Sequence, residues 1–225
     1  MHILKINING NPNIGLFGFA NDKFCLLSKD ASDDVASKVE KVLKVPVLRI
    51  NICGTSLIGA FIASAGDNSI LVPSIAFENE LNFLNKAGIK YHIIKTELTA
   101  LGNNIVCNSE GCLVNPDFDD GDLRQIERAV LKRIKKATIA SVPTIGSAIA
   151  ITKQGCAVHR DISDKEVEIL NKTLHTKKIL NGTLNLGNPF IRTGVIANSN
   201  GFVVGEQTTG PELQFLDEAF GFIDY

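Results

Sequence analysis

Apolar and polar positions along the chain repeat in blocks of one design. Each block opens on an apolar-Gly step and runs through a short apolar strand to a turn rich in Gly, Asn or Asp. A second apolar strand returns, an amphipathic helix follows, and a third strand closes the block. The steps are Ile14-Gly15, Ile58-Gly59, Leu101-Gly102, Ile145-Gly146 and, more loosely, Thr193-Gly194, with glycines 44, 43, 44 and 48 residues apart. A nearly fixed period of this size is the signature of a repeat architecture.

In the first unit Phe17 and Phe19 lead to the turn Asn21-Asp22, and 24–27 return. Ser32 caps a helix with Asp33 and Asp34 in its first turn and Val35, Val39, Val42 and Leu43 as its stripe. The third strand reads as 45–52, with Pro46 at its entry. The second unit turns around 66–68, returns at 70–73, carries Leu81 and Leu84 on a helix stopped by Gly88, and alternates through Ile89, Tyr91 and Ile93. In the third, 107–111 turn and 112–114 return. Leu123, Ile126, Val130, Leu131 and Ile134 form a helical stripe, and 137–142 is the third strand. The fourth turns at 152–155, returns at 156–158, opens its helix with the capping box Ser163–Glu166, buries Val167, Leu170 and Leu174, and ends in a strand at 177–180. The fifth turns at 198–201, returns at 202–204, and has a capping box at Thr209–Glu212 with Leu213, Leu216 and Phe220 behind it.

No third strand follows the fifth helix, but Leu4, Ile6 and Ile8 form a spare strand before the first unit. Placing it in the fifth unit closes a ring and removes exposed sheet edges. The expectation is one α/β domain over 1–225, with units at about 11–53, 54–97, 98–142, 143–187, and 188–225 plus 1–10. A closed ring has no edge that demands a partner, so a monomer is expected. The five glycine steps then crowd together at one end of the ring axis. The loops before them, 10–13, 54–57, 98–100, 141–144 and 188–191, contain no charged residue and would form a composite surface suited to protein recognition rather than phosphate binding.

Charge agrees with this. The formal net charge is −1, whereas proteins that bind nucleic acid mainly through phosphates are distinctly basic. Arg124, Arg128, Lys132, Arg133, Lys135 and Lys136 form a basic run that reads first as a solvated helix face and, functionally, as a nucleic-acid contact. Asp117, Asp119, Asp120 and Asp122 lack the spacing of a calcium loop and fit a helix N-terminus. The five cysteines, Cys25, Cys53, Cys107, Cys112 and Cys156, include no CxxC pair and are expected to be buried reduced thiols, with no metal site. No apolar run approaches the roughly 18 residues of a membrane span, and the alternating N-terminus lacks a signal peptide's apolar block, so a cytoplasmic location is expected.

Within this pattern, Leu98-Thr-Ala-Leu-Gly-Asn103, Cys107-Asn108, Leu113-Val-Asn-Pro-Asp117, Gly194-Val-Ile-Ala-Asn198 and Thr208-Thr-Gly-Pro-Glu-Leu213 resemble the translation initiation factor 6 family, the ribosome anti-association factors. The five-unit ring resembles the pentein fold, a five-bladed α/β propeller with pseudo-fivefold symmetry. The chain stops at Tyr225 without the C-terminal tail of eukaryotic members, so the resemblance is to the archaeal form. It implies a non-catalytic factor, without cofactor, that binds the large (50S) ribosomal subunit on protein surface near the sarcin–ricin loop of the rRNA and blocks joining of the small (30S) subunit. Asn103 matches the family's interface segment, and Asn13, Gly15, Leu57, Gly59, Leu101 and Gly146 are candidate neighbours.

The pentein fold also houses enzymes that modify guanidino groups, which need a Cys nucleophile near the C-terminal end, a His and carboxylates. Here no Cys follows Cys156 and no His follows His175. Cys156 and His159 would point to opposite faces of a strand, and His159 is expected at a strand end on the surface.

Overall fold

The computed structural model describes residues 2–66 and 68–223. Asp67, within the turn expected at 66–68, lies outside them.

Five three-stranded sheets repeat along the described residues. The first holds β2 (Gly18–Ala20), β3 (Cys25–Ser28) and β4 (Val47–Ile50), and the second β5 (Ala63–Ser64), β6 (Ile70–Pro73) and β7 (Tyr91–Ile94). The third holds β8 (Ile105–Cys107), β9 (Gly111–Val114) and β10 (Arg133–Lys136), and the fourth β11 (Ile149–Ile151), β12 (Cys156–His159) and β13 (Ile179–Gly182). The fifth combines β14 (Val195–Asn198) and β15 (Gly201–Gly205) with the N-terminal strand β1 (Ile3–Ile6), whose Leu4 pairs with Val203. In every sheet the first two strands form an antiparallel hairpin and the third adds in parallel. A parallel addition requires a crossover. Helices α1 (Asp33–Leu43), α2 (Glu78–Lys86), α3 (Asp120–Val130) and α4 (Asp164–Leu174) supply it in the first four units, while in the fifth α5 (Gly210–Ala219) follows β15 and the parallel strand comes from the N-terminus.

Each helix fills the wedge between its own sheet and the preceding one. Leu170 and Leu174 of α4 meet Cys156 and Val158 of their own sheet and Leu113 of the sheet before. Leu216 and Phe220, at the end of α5, meet Phe202 and Val204 as well as Ala150 and Ala157. Val39, Val42 and Leu43 of α1 pack on Leu27 and on Ile6, Ile196 and Val203 of the fifth sheet, so the first unit contacts the last. The middle strands serve both wedges by alternation: Cys25 and Leu27 face one core and Leu26 the next. Buried on both faces, they read as continuous apolar runs rather than alternating ones.

The caps follow the sequence closely. Ser32 Oγ accepts the Val35 amide at 3.2 Å, and Asp119 Oδ1 accepts that of Asp122 at 2.8 Å. The acidic cluster is thus a helix first turn, and no His, Cys, Asp or Glu group able to hold a metal occurs among the described residues. Gly88, at φ 70°, ends α2.

Two assignments in the third unit are corrected. Helix α3 stops at Val130; Leu131 takes a left-handed conformation and is 84% exposed, and Ile134 belongs to a strand, so neither continues the stripe. The third strand is Arg133–Lys136, not 137–142. It is the outermost strand of its sheet, so only Ile134 packs inward, while Arg133, Lys135 and Lys136 are exposed. Charge there also discourages pairing with another chain. The third strand of the fourth unit, by contrast, lies later than 177–180, at Ile179–Gly182.

Candidate functional site

The glycine steps form a hub. Every step is a short helical turn: Ile14–Phe17, Ile58–Phe61, Leu101–Asn104, Ile145–Ala148 and Ile191–Gly194. Each is entered through a residue with φ between −76° and −85°, namely Asn13, Leu57, Ala100, Thr144 and Phe190. The first residue of each turn is fully buried. The second is Gly15, Gly59, Gly102, Gly146 and, in the fifth unit, Arg192. The expected step at Thr193-Gly194 is therefore displaced by two residues: the equivalent pair is Ile191-Arg192. The long connection between the fourth and fifth units hid this register, because a glycine happens to fall nearby.

Backbone packing explains the four glycines. A Cβ on Gly59 would fall on the Gly15 carbonyl oxygen, one on Gly102 on that of Gly59, and one on Gly146 on that of Gly102. A Cβ on Gly15 would meet the Arg192 carbonyl, so the fifth turn packs on the first.

Glutamates at the third position of three helices hold the loops that lead into the hub. Glu166 accepts the amides of Ala140 (3.0 Å), Ser141 (2.9 Å) and Ser163 (2.9 Å) and the hydroxyls of Thr138 (2.8 Å) and Ser163 (2.9 Å). Glu80 accepts the Cys53 and Gly54 amides at 2.8 and 2.9 Å, and Glu212 that of Gly187 at 2.9 Å. The clamped residues are left-handed: Cys53, Gly54, Ala140, Ser141, Leu186 and Gly187 all have positive φ. This conformation points successive amides to one side, where a carboxylate gathers them. Burial alone would raise the Glu166 pKa, but the donated hydrogen bonds outweigh it and hold the carboxyl at about 2. Glu212 is lowered in the same way.

The seven candidate residues divide. Leu101, Gly15, Gly59 and Gly146 are buried and build the hub; they offer a partner no side chain. Asn13 and Asn103 are half-buried and Leu57 is 36% exposed. Asn103 does not cap its turn. Asn104 does so, donating to the Ala100 carbonyl at 2.9 Å and accepting from Asn115 at 2.7 Å, and the Asn103 side-chain amide makes no hydrogen bond among the described residues. Sequence reasoning missed Phe77 (55% exposed), whose ring covers Gly54, and Leu186 (70% exposed), beside the 188–191 loop. A large apolar residue at a helix entry or inside a clamped polar turn was the available signal.

Two expectations about reactive groups are corrected. Cys107 and Cys112 are joined in a disulfide, leaving Cys25, Cys53 and Cys156 free. They are directly opposite partners on β8 and β9 with Cα atoms 4.2 Å apart. Side chains approach closely at such non-hydrogen-bonded positions, so a four-residue gap across a hairpin suffices without any CxxC pair. His159 is not a surface residue: it is buried, its ring meets Phe190 edge-on at 5.4 Å, and Nδ1 accepts the Asp161 amide at 3.1 Å. Burial pushes its pKa down. Burial also pushes the Cys25, Cys53 and Cys156 thiols up to about 12, far from the thiolate a nucleophile requires.

The eIF-6 family profile matches residues 3–219. The chain belongs to the eIF-6 family. It is 35% identical over 229 residues to translation initiation factor 6 of Pyrococcus abyssi, across 99% of this chain and 100% of that protein. It is 36% identical over 227 residues to that of Methanocaldococcus jannaschii, across 98% and 99%. Among solved structures, dimethylarginine dimethylaminohydrolase of Pseudomonas aeruginosa aligns with a TM-score of 0.48 at 7% identity, covering 75% of this chain and 67% of that one. Agmatine deiminase of C. jejuni aligns at 0.42 and 16%, covering 70% and 60%. Members of the eIF-6 family are ribosome-associated translation factors, not enzymes, and this chain has a translation initiation factor role. No helix among its described residues is long and apolar enough to cross a membrane.

Proposed function

We propose that this eIF-6 family protein binds the large ribosomal subunit in the cytoplasm and sterically prevents its premature joining to the small subunit. The observation that carries the reading is the loop face of the hub. Five uncharged segments lead into it, the loops of three units being clamped by Glu80, Glu166 and Glu212, and Asn103 in the third turn has its side-chain amide free of any partner among the described residues. Leu57, Phe77 and Leu186 give the face exposed apolar anchors. A polar rim with a few large apolar side chains suits a protein surface. The nearby sarcin–ricin loop is a local rRNA contact in this reading, and the exposed Arg133, Lys135 and Lys136 are a separate candidate for one.

The test is co-sedimentation of the protein with separated subunits, followed by a joining assay. The expected result is binding to the large subunit alone and loss of joined ribosomes. Asn103→Ala should weaken binding several-fold while leaving the fold intact, since a lost interfacial hydrogen bond is worth about 0.5–1.5 kcal/mol. Binding to neither subunit would overturn the reading.

A further inference from the structure

A cavity of about 380 Å³ lies between the five sheets and is lined by the first strand of every unit. Gly102, Gly146 and Arg192 form its hub end. From there the first strands run to the hairpin turns, so the mouth lies at the opposite end from the loop face. A ligand in this cavity would therefore bind independently of the ribosome.

Arg192 stands where four other units carry glycine, and it is the one hub position at this level that sends a side chain toward the axis. The guanidinium has five N–H donors. Among the described residues its single hydrogen bond is from Nη1 to the Gly15 carbonyl at 3.5 Å, the limit of a useful contact. The Phe19 ring lies 6.0 Å from it. No carboxylate pairs with it among those residues. Among the described residues two carboxylates line the cavity, both in hairpin turns at the mouth. Asp22 is committed to Lys153 at 2.7 Å and to the Ser199 amide and hydroxyl at 2.8 and 3.0 Å. Glu110 is exposed and accepts the Ser109 hydroxyl at 3.0 Å. Burial lowers the Arg192 pKa to about 10, so the group stays charged at neutral pH.

Arg192 is half-buried and faces the cavity, and a charge withdrawn from bulk water with neither counter-charge nor a full set of hydrogen bonds among the described residues is costly. We propose that the cavity binds a small organic carboxylate, held by Arg192 at the hub end, with its apolar body against Ile105, Ile149 and Val195. The planar guanidinium fork matches a carboxylate in a bidentate pair. Arg192 is the one cation at the hub end, the other lining cations Lys153 and Lys177 being exposed, and with the apolar walls beside it this favours a monocarboxylate with a hydrocarbon body over phosphate, which needs more donors. The volume is at the small end of the roughly 300–1,000 Å³ of ligand pockets.

Calorimetry and thermal unfolding of the full chain test this with acetate, isobutyrate and benzoate, with benzamide as the uncharged counterpart of benzoate, and with inorganic phosphate. Saturable binding of isobutyrate or benzoate is expected, with a raised Tm, weaker binding of phosphate and none of benzamide. Arg192→Gly places at the fifth hub position the residue the other four carry, and should bind benzoate about tenfold to a hundredfold more weakly, the loss expected for a charge-assisted pair. Should that variant not fold, Arg192→Lys and the benzoate–benzamide contrast on the unaltered protein remain decisive. Equal binding by the Arg192 variants, equal binding of benzamide, tighter binding of phosphate than of every carboxylate, or no saturable carboxylate binding would each overturn the proposal.

Discussion

Replacing Glu166 by Gln removes one charge from the clamp and keeps its size. The carboxylate accepts from donors on both oxygens, Oε1 from Thr138 and Ser141, Oε2 from Ala140 and Ser163. In the better of the two orientations the new NH₂ donates to the Thr138 hydroxyl and leaves the Ser141 amide facing a donor; the other orphans the Ala140 and Ser163 amides. The pKa gives a second route to the magnitude. A fall from 4.5 to about 2 corresponds to an upper limit of about 3 kcal/mol. Glu166 is only half-buried, so solvent screening reduces this to about 1–2 kcal/mol. The folded pKa is depressed, so this stability is fully present above the unfolded value of 4.5 and is lost as pH falls through about 2. Urea unfolding of both proteins at pH 7 and at about pH 3 is the assay. The variant should be about 1–2 kcal/mol less stable at pH 7, and the gap should close by roughly half or more at pH 3. Amide exchange at Ala140 and Ser141 should quicken. Equal stability at pH 7, or a gap that does not narrow in acid, would refute the clamp as the origin of the shift.

At the hub, Gly59→Ala should destabilise by about 3 kcal/mol or more, because the added methyl meets backbone on the neighbouring turn rather than a yielding side chain. Gly210→Ala, where a Cβ meets nothing within 4 Å, should be neutral or slightly stabilising, and equal urea midpoints for the two variants would contradict the packing account. Alkylation under denaturing conditions without reductant should label three cysteines, Cys25, Cys53 and Cys156, and all five after reduction. Five labelled without reductant would exclude the Cys107–Cys112 bond.

Sequence alone specified the repeat, the caps and the middle strands. These are local: Ser32, Ser163 and Thr209 act within one helical turn, and a strand buried on both faces must be apolar throughout. It also placed the N-terminal strand beside β15, since an incomplete fifth unit and a spare strand have one economical pairing. Outer strands were less legible. Arg133–Lys136 buries a single side chain, so its composition resembles a solvated helix face. Tertiary packing settled everything that depends on contact between units. It buried Leu101 and the hub glycines, left the Asn103 side-chain amide without a hydrogen bond among the described residues while that of Asn104 bonds within the turn, and set Cys107 against Cys112 across a hairpin. It also put Arg192 in a glycine's place. Register around an axis is set by backbone packing between segments about 44 residues apart, and no local pattern records which residue of a turn will meet its neighbour's carbonyl.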